Sequence, residues 1–249
     1  MLRVAKILHR WLAIVIGIQI LAWVIGGIYF SWTDLDWIHG DHLLRRPQPV
    51  AAGEINPRVL ATVLAHLQAR ENIRAWKRID FIEPLDKAVI RIRYRNDAGE
   101  RTALFTAADG RRLPPLNRDQ ARKLAERVFV PDAPVSRIDY LTELPPGHEY
   151  RGHPLPAWAV HFDHPGHPTV YVAAELAAVT AIRHDGWRVF DFLWMLHTLD
   201  LHSRDDINNP LLRTLALAGL AVVLSGYGLY LALRRFQGQR RSRRAQRSQ

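Results

Sequence analysis

The sequence of 249 residues contains no cysteine. Without cysteine the chain has no disulfide framework, and it cannot hold haem through the covalent c-type linkage, which needs cysteine thiols. The sequence also lacks a glycine-rich nucleotide loop, an HExxH zinc motif, a nicotinamide fingerprint and a serine–histidine–aspartate order. Hydrolase and kinase functions therefore have no support in the sequence.

Acidic residues are missing from both ends of the chain. Residues 1–10 carry three basic side chains and residues 234–249 carry seven, which accounts for the net charge of +10. A nucleic-acid-binding domain would instead concentrate lysine and arginine on a folded face, so no nucleic-acid partner is expected. Positive flanks of this kind are typical of the cytoplasmic ends of membrane proteins, and we predict that both termini are cytoplasmic.

Two uncharged apolar runs, at residues 11–32 and about 211–233, are each long enough to cross a hydrocarbon core of roughly 30 Å. We predict two transmembrane helices. The alternative for the first run, a cleaved signal peptide, has a shorter apolar region of about 7–15 residues. Small residues in both runs permit close approach, either between the two helices or with a second copy: Gly26, Gly27, Ser225, Gly226 and Gly228.

Residues 33–187, between the two runs, have the pattern of a duplicated unit. Asn56 and Asn117 each open a predicted amphipathic helix, at 56–71 and 117–128. The sequence motif Arg-Ile-Asp-aromatic follows each helix, and its second copy comes 59 residues after the first. Each unit is therefore predicted to be one helix packed on a three- or four-stranded antiparallel sheet. The predicted strands are 78–82, 88–95 and 102–106 in the first unit and 137–141, 157–163 and 169–173 in the second.

The chain resembles the PepSY-associated transmembrane family of bacterial inner-membrane proteins. The resemblance is carried by the sequence His9-Arg10-Trp11, by the duplicated unit that ends in residues 106–110, and by the closing segment 187–212. It implies an α+β membrane protein in which two transmembrane helices flank a periplasmic region of two PepSY-like helix-plus-antiparallel-sheet units. Larger four-span relatives include iron-uptake proteins, some of them haem-containing reductases of ferric siderophores, which implies a role in iron acquisition.

The resulting domain prediction has eight segments. They are a cytoplasmic N-terminus (1–10), transmembrane helix 1 (11–32), a periplasmic connector (33–55), PepSY-like unit 1 (56–115), PepSY-like unit 2 (116–186), an interfacial amphipathic helix and turn (187–209), transmembrane helix 2 (210–233) and a basic cytoplasmic tail (234–249).

Four histidines flank the two apolar runs on the outer side. His39 and His42 follow the first run by 7 and 10 residues, and His197 and His202 precede the second, so chain connectivity predicts that all four lie near one membrane face. His197 falls in the aromatic, apolar stretch 187–201, which is predicted to be an amphipathic or re-entrant helix. An imidazole in such a stretch costs free energy unless it is hydrogen-bonded or ligated.

Haem b suits this setting, because neutral imidazoles ligate its iron while apolar side chains surround the porphyrin. The expected ligands are His197 with His42 or His39, or the His197 residues of two copies, and His202 belongs to the same group. His9 lies about 30 Å away at the cytoplasmic side, so a haem there needs a homodimer or a partner protein. The alternative for His9 is an interfacial anchor.

The remaining candidates have structural explanations. His66, His148, His153 and His184 are predicted to be solvated surface residues. Three further histidines repeat every third residue, but they lie at a hairpin tip where their rings would splay, so a metal site with Asp163 is the weaker alternative. Three acids, Asp200, Asp205 and Asp206, are predicted to cap the second transmembrane helix rather than to bind a cation. The three hairpin histidines are His161, His164 and His167.

The leading functional prediction is a haem-b electron carrier that reduces a ferric chelate in iron acquisition. The rival is a non-enzymatic binding or regulatory module, a peptidase inhibitor or chaperone-like domain, that meets a periplasmic peptide or protein through a sheet edge. A third is a structural subunit of a larger transporter. The expected partners are the lipid bilayer and either a second copy or another membrane protein.

Overall fold

The computed structural model describes the backbone of residues 2–247 and the side chains of residue 7 and residues 9–235. The chain forms two compact units. We call residues 2–32 and 190–247 the helical region, and residues 33–189 the double-sheet region. The helices are α1 (Leu2–Trp32), α2 (Leu35–His39), α3 (Pro57–Arg70), α4 (Arg118–Val128), α5 (Asp185–Thr198) and α6 (Pro210–Arg247). The strands are β1 (Ala75–Ile82), β2 (Val89–Asn96), β3 (Gly99–Thr106), β4 (Arg112–Leu113), β5 (Val135–Leu141), β6 (Ala157–Phe162), β7 (Thr169–Ala173) and β8 (Ala178–Arg183).

Two helices of the helical region are long and apolar enough to cross a membrane, over His9–Trp32 in α1 and Pro210–Arg235 in α6. Helix α1 begins at Leu2, before the predicted start at residue 11, because residues 2–10 include neither glycine nor proline and continue the helix. Helix α6 runs on to Arg247, into the predicted basic tail. The described residues do not include residues 248 and 249 of that tail, nor its side chains from residue 236 onward.

Glycines on α6 make room for side chains of α1. A Cβ added at Gly219 would lie 3.7 Å from Cγ2 of Ile16, and one at Gly226 would lie 3.5 Å from Cε1 of His9. Gly26 of α1 instead faces α5, where its Cβ would lie 3.9 Å from the carbonyl oxygen of Leu193. The two apolar helices therefore pack together on the face that carries Gly219 and Gly226.

The first repeat is α3 packed on the antiparallel sheet β1-β2-β3-β4. The Asn56 side chain accepts a hydrogen bond from the Arg58 N–H at 3.0 Å, and Pro57 occupies the first helical position, so the sequence starts α3 where we predicted it. The core between α3 and the sheet is formed by buried apolar side chains: Val63, Leu67, Ile90, Ile92, Tyr94, Ala103, Phe105 and Ala107.

The second repeat is α4 packed on the antiparallel sheet β5-β6-β7-β8. Asn117 and Gln120 form a reciprocal capping box that starts α4. Val89 and Leu104 point away from α3, since side chains alternate along a strand, and they join the core around α4. The two repeats thus share apolar packing, and each sheet has four strands. The other buried members of this core include Ala121, Leu124, Ala125, Val160, Val170, Val172 and Ile182.

The segment before α6 differs from the prediction in two places. Helix α5 ends at Thr198 rather than at residue 201, because Leu199 adopts a left-handed backbone conformation with φ of +56°. The predicted capping role of the acids is also wrong. The Asn209 side chain accepts from the Leu212 N–H at 2.9 Å at the start of α6, whereas the Asp200 carboxylate accepts from backbone N–H groups of its own loop.

We expect Gly40→Ala to destabilise the protein by about 2–4 kcal/mol. Gly40 ends α2 with φ of +81°, and an added Cβ would lie 2.6 Å from Cγ2 of Ile182, so the substitution combines backbone strain with a clash. The measurement is thermal unfolding of the detergent-purified protein. Gly166→Ala is the control, because its φ of +85° is similar but nothing lies within 4 Å of its Cβ; we expect a loss of only about 1 kcal/mol there. Equal losses of unfolding free energy in the two variants would show that the Cβ of residue 40 does not clash with Ile182.

Candidate functional site

His197, in the last turn of α5, lies among aromatic rings of the helical region. Its ring centroid is 5.9 Å from that of Trp23, 6.1 Å from that of Phe30 and 6.1 Å from that of Trp194. Its Nδ1 atom is buried and has no hydrogen-bond partner, one of three such side-chain atoms in the described part of the chain. A buried polar atom left in this way costs about 1–3 kcal/mol. His197 is therefore an energetic exception rather than an ordinary core residue.

The position of His197 is fixed by side chains that hold the carbonyl end of α5. Gln19 of α1 donates to the Leu196 carbonyl at 2.8 Å, and Trp23, one turn further along α1, donates to the His197 carbonyl at 2.9 Å. Asn209 donates to the Thr198 carbonyl at 2.8 Å. The last carbonyls of a helix have no partner within it, so these three donors satisfy groups that would otherwise remain open.

His9 lies at the other end of α1. The Ser225 hydroxyl donates to the Val222 carbonyl at 2.9 Å, so its oxygen accepts from Nδ1 of His9 at 2.7 Å. Fourteen residues separate His9 from Trp23, which is about 21 Å along the helix, so the helical region does not bring His9 and His197 together.

His42 lies in an aromatic cluster of the double-sheet region. Its ring stacks on Trp37 at a centroid distance of 5.9 Å and meets the edge of His184 at 5.7 Å. Burial and the neighbouring His184 lower the pKa of His42, so its ring stays neutral at pH 7, the form that ligates metals. His39, in the last turn of α2, is exposed, and so is His202, in the loop after α5.

The prediction that His184 is a solvated surface residue is wrong. His184 is 5% exposed, its Nε2–H donates to the Trp37 carbonyl at 2.9 Å, and its Nδ1 accepts from the Gly186 N–H at 3.2 Å. Both nitrogens are used, so this histidine has a structural role. His66 is exposed as predicted, whereas His148 and His153 are half-buried.

The three hairpin histidines do not form a metal centre. His161 bonds to Asp139 and Thr169, at 2.9 and 3.0 Å, and His167 bonds to Asp185 at 2.8 Å. The Nδ1 atom of His164 bonds to the neighbouring Pro165 carbonyl. Among the described residues, no group of three histidine, aspartate or glutamate side chains is placed to hold a metal ion. The three rings therefore contact different partners.

A charged network that sequence reasoning missed centres on Glu149 in the double-sheet region. Arg188 of α5 donates to its two carboxylate oxygens at 2.7 and 3.2 Å, and the Tyr171 hydroxyl donates at 2.6 Å. Arg188 also reaches Asp185 at 2.9 Å. Burial raises the pKa of Glu149, but the bonds from Arg188 and Tyr171 outweigh it, so the net pKa is lowered. The pKa of Tyr171 is raised by burial and by Glu149.

The family model of the PepSY-associated TM region matches residues 7–249. The chain belongs to this family. No curated protein and no solved structure gives a significant match. The matched range includes both apolar helices and both sheets. This PepSY-associated protein is therefore a membrane protein, and its α+β repeats come between its two candidate membrane helices in the sequence.

One sequence signal in the PepSY-associated protein pointed to buried ion pairs. Arg188 and Asp191 are charged residues inside the apolar stretch that became α5, where a charge is costly unless it is paired. Arg188 binds Glu149, and Asp191, which is 3% exposed, pairs with Arg204 in the helical region. The two charges inside an apolar stretch indicate that each needs a partner of opposite charge. They do not identify these partners, because both partners lie in irregular loops.

We expect Arg188→Met to lower the free energy of unfolding by about 2 kcal/mol, because it leaves the Glu149 carboxylate half-buried without its cation. Arg122→Met is the matched control: Arg122 pairs with Glu126 on an exposed helix face, so we expect a loss below about 0.5 kcal/mol. Denaturant unfolding of the purified protein measures both.

The pH dependence provides a second check. A carboxyl whose pKa is lower in the folded state stabilises the fold above its unfolded pKa, about 4.3 for glutamate, and loses this contribution as the pH falls. The stability difference between the wild type and Glu149→Gln should therefore shrink below about pH 4.3. A difference that is constant from pH 7 to pH 3 would contradict the assignment of Glu149 as the ionised partner of Arg188.

Proposed function

We propose that this membrane protein binds haem b through His197 and carries electrons to a ferric chelate in iron acquisition. The observation that supports the proposal is the buried Nδ1 of His197, which has no hydrogen-bond partner among the described residues. Ligation makes a histidine at this position favourable where packing alone does not. Bound haem supplies a one-electron iron centre.

The surroundings of His197 fit such a group. Trp23, Phe30 and Trp194 give apolar, aromatic surface around the imidazole, and the carbonyl bonds from Gln19 and Trp23 hold the end of α5 in place. Supporting contacts of this kind orient a ligand and exclude water from it. The role of the protein is thus to fix the imidazole in a dry setting.

In this proposal a second histidine would hold the haem together with His197: His42 or His39, or the His197 of a second copy. The lowered pKa of His42 supports this role, because a neutral ring ligates iron without first losing a proton. At the other end of α1, the hydrogen bond of His9 to Ser225 uses Nδ1 and Nε2 lies next to Gly226, which supports a further ligand role there in a homodimer. In this proposal the chain lies in the bacterial inner membrane with both termini in the cytoplasm and the double-sheet region in the periplasm.

The test is a reduced-minus-oxidised visible spectrum of the detergent-purified protein, expressed with haem available. We expect the absorbance of a six-coordinate b haem, lost in His197→Ala and retained in His66→Ala, an exposed histidine of α3. His42→Ala and His39→Ala identify the second ligand, and retention of the spectrum in both favours the homodimer. No Soret band, or an unchanged band in His197→Ala, would overturn the proposal.

A binding or regulatory module, the peptidase inhibitor or chaperone-like alternative, is favoured by one other observation. Strand β1 is the terminal strand of its sheet, and its side chains Trp76 and Ile79 are 41% and 38% exposed. An open strand edge can pair with an extended peptide, and exposed apolar side chains add affinity.

For this second candidate we expect an extended polypeptide such as β-casein to slow amide hydrogen exchange in β1 while leaving the interior strand β2 unchanged, because only an edge strand has open backbone groups. Ile79→Lys should weaken the effect. Unchanged exchange in β1 at saturating β-casein would count against strand addition.

A further inference from the structure

A cavity of about 490 Å³ lies within the double-sheet region, between the first sheet and the second repeat. This volume is in the range of small-molecule sites. Four basic side chains line it, Lys77, Arg78, Arg93 and Arg101, together with the acids Glu100 and Glu175. The wall on the other side comes from residues 154–156 and 173–176. The lining therefore has an excess of positive charge.

The ion pairs of the protein neutralise only part of this charge. Lys77 pairs with Glu100 at 3.5 Å, and Arg78 pairs with Asp80. Within the described residues, Arg93 and Arg101 have no carboxylate within 4 Å. The Nε atom of Arg93 is also buried without a hydrogen-bond partner, and a charged donor left in this way is more costly than a neutral one.

The strand register explains why the charge accumulates at Arg93. Arg93 of β2 lies directly opposite Arg78 of β1, and like charges at opposite positions destabilise a sheet. Two residues earlier, Arg91 lies opposite Asp80 and pairs with it at 3.1 Å. The same two strands therefore give Arg91 a carboxylate partner but place a second arginine opposite Arg93. An unpaired guanidinium beside another cation, facing a cavity, indicates a missing anion.

We propose that this cavity binds a small polyanion, a molecule with at least two carboxylate or phosphate groups. The planar fork of a guanidinium binds either group through paired N–H donors, and Arg93 and Arg101 offer two such forks to one molecule, against the single unpaired acid of the described lining, Glu175. The bound anion would accept from Nε of Arg93 and separate Arg93 from Arg78 electrostatically. The site lies wholly within the double-sheet region and does not depend on the haem proposal.

The test is isothermal titration calorimetry of the full-length, detergent-purified protein at low salt. The probes are metal-free citrate for carboxylate groups, inorganic pyrophosphate for phosphate groups and sorbitol as an uncharged control. We expect at least one anion to bind with a Kd of about 1 mM or tighter, and sorbitol not to bind. Arg93→Gln should weaken binding about tenfold or more, since it removes charge-assisted hydrogen bonds. Arg118→Gln, at an exposed arginine without an ion pair among the described residues, should leave the Kd unchanged.

A comparison of the affinities for citrate and pyrophosphate shows whether the site prefers carboxylate or phosphate groups. Arg101→Gln, at an exposed position, keeps the test decisive where Arg93→Gln fails to fold, and thermal unfolding reports on folding in each variant. The proposal is overturned by heat signals from neither anion up to about 10 mM, or by equal affinities in Arg93→Gln, Arg101→Gln and Arg118→Gln. Because calorimetry needs no haem, loss of the haem spectrum in other variants would not affect this result.

Discussion

The helical region depends on how the carbonyl end of α5 is satisfied. The last carbonyls of a helix have no partner within it, so they need donors from other parts of the protein. Gln19 and Trp23 of α1 provide two of them, and Asn209 at the start of α6 provides another. The same bonds fix His197, so the element that would hold a cofactor is positioned by a requirement of the backbone.

The double-sheet region depends on strand alternation in a comparable way. Along β2, every second side chain packs under α3, and Val89 on the opposite face enters the core around α4. The two repeats therefore share buried apolar surface instead of standing as separate domains. Arg93 is on the face of β2 that carries Val89, so the basic cavity lies on the side of the first sheet that faces the second repeat.

Local signals predicted most of the fold, whereas long-range contacts were beyond the sequence. Asn56 and Asn117 started both repeat helices where expected, because capping is decided within three residues. His184 was misjudged as a surface residue, since the carbonyl that accepts its proton belongs to Trp37, 147 residues away. The capping residue of α6 was misassigned for another reason. Asp200 and Asn209 are both good capping residues, and only the path of the backbone places Asn209 at the start of the helix.

Hydrogen-bond completeness separates structural polar residues from candidate binding residues in this protein. His184 is buried and Glu149 is half-buried, and the hydrogen-bond partners of both explain their presence. His197 and Arg93 are also half-buried, yet each has a buried nitrogen without a partner in the described chain. Selection removes such costs at positions that need only pack, because a nonpolar residue would serve there at lower free energy. Arg204 also has such an atom, Nε, but its guanidinium is paired with Asp191. A ligand would explain the exceptions at His197 and Arg93, and the two ligands differ because one site is aromatic and the other is cationic.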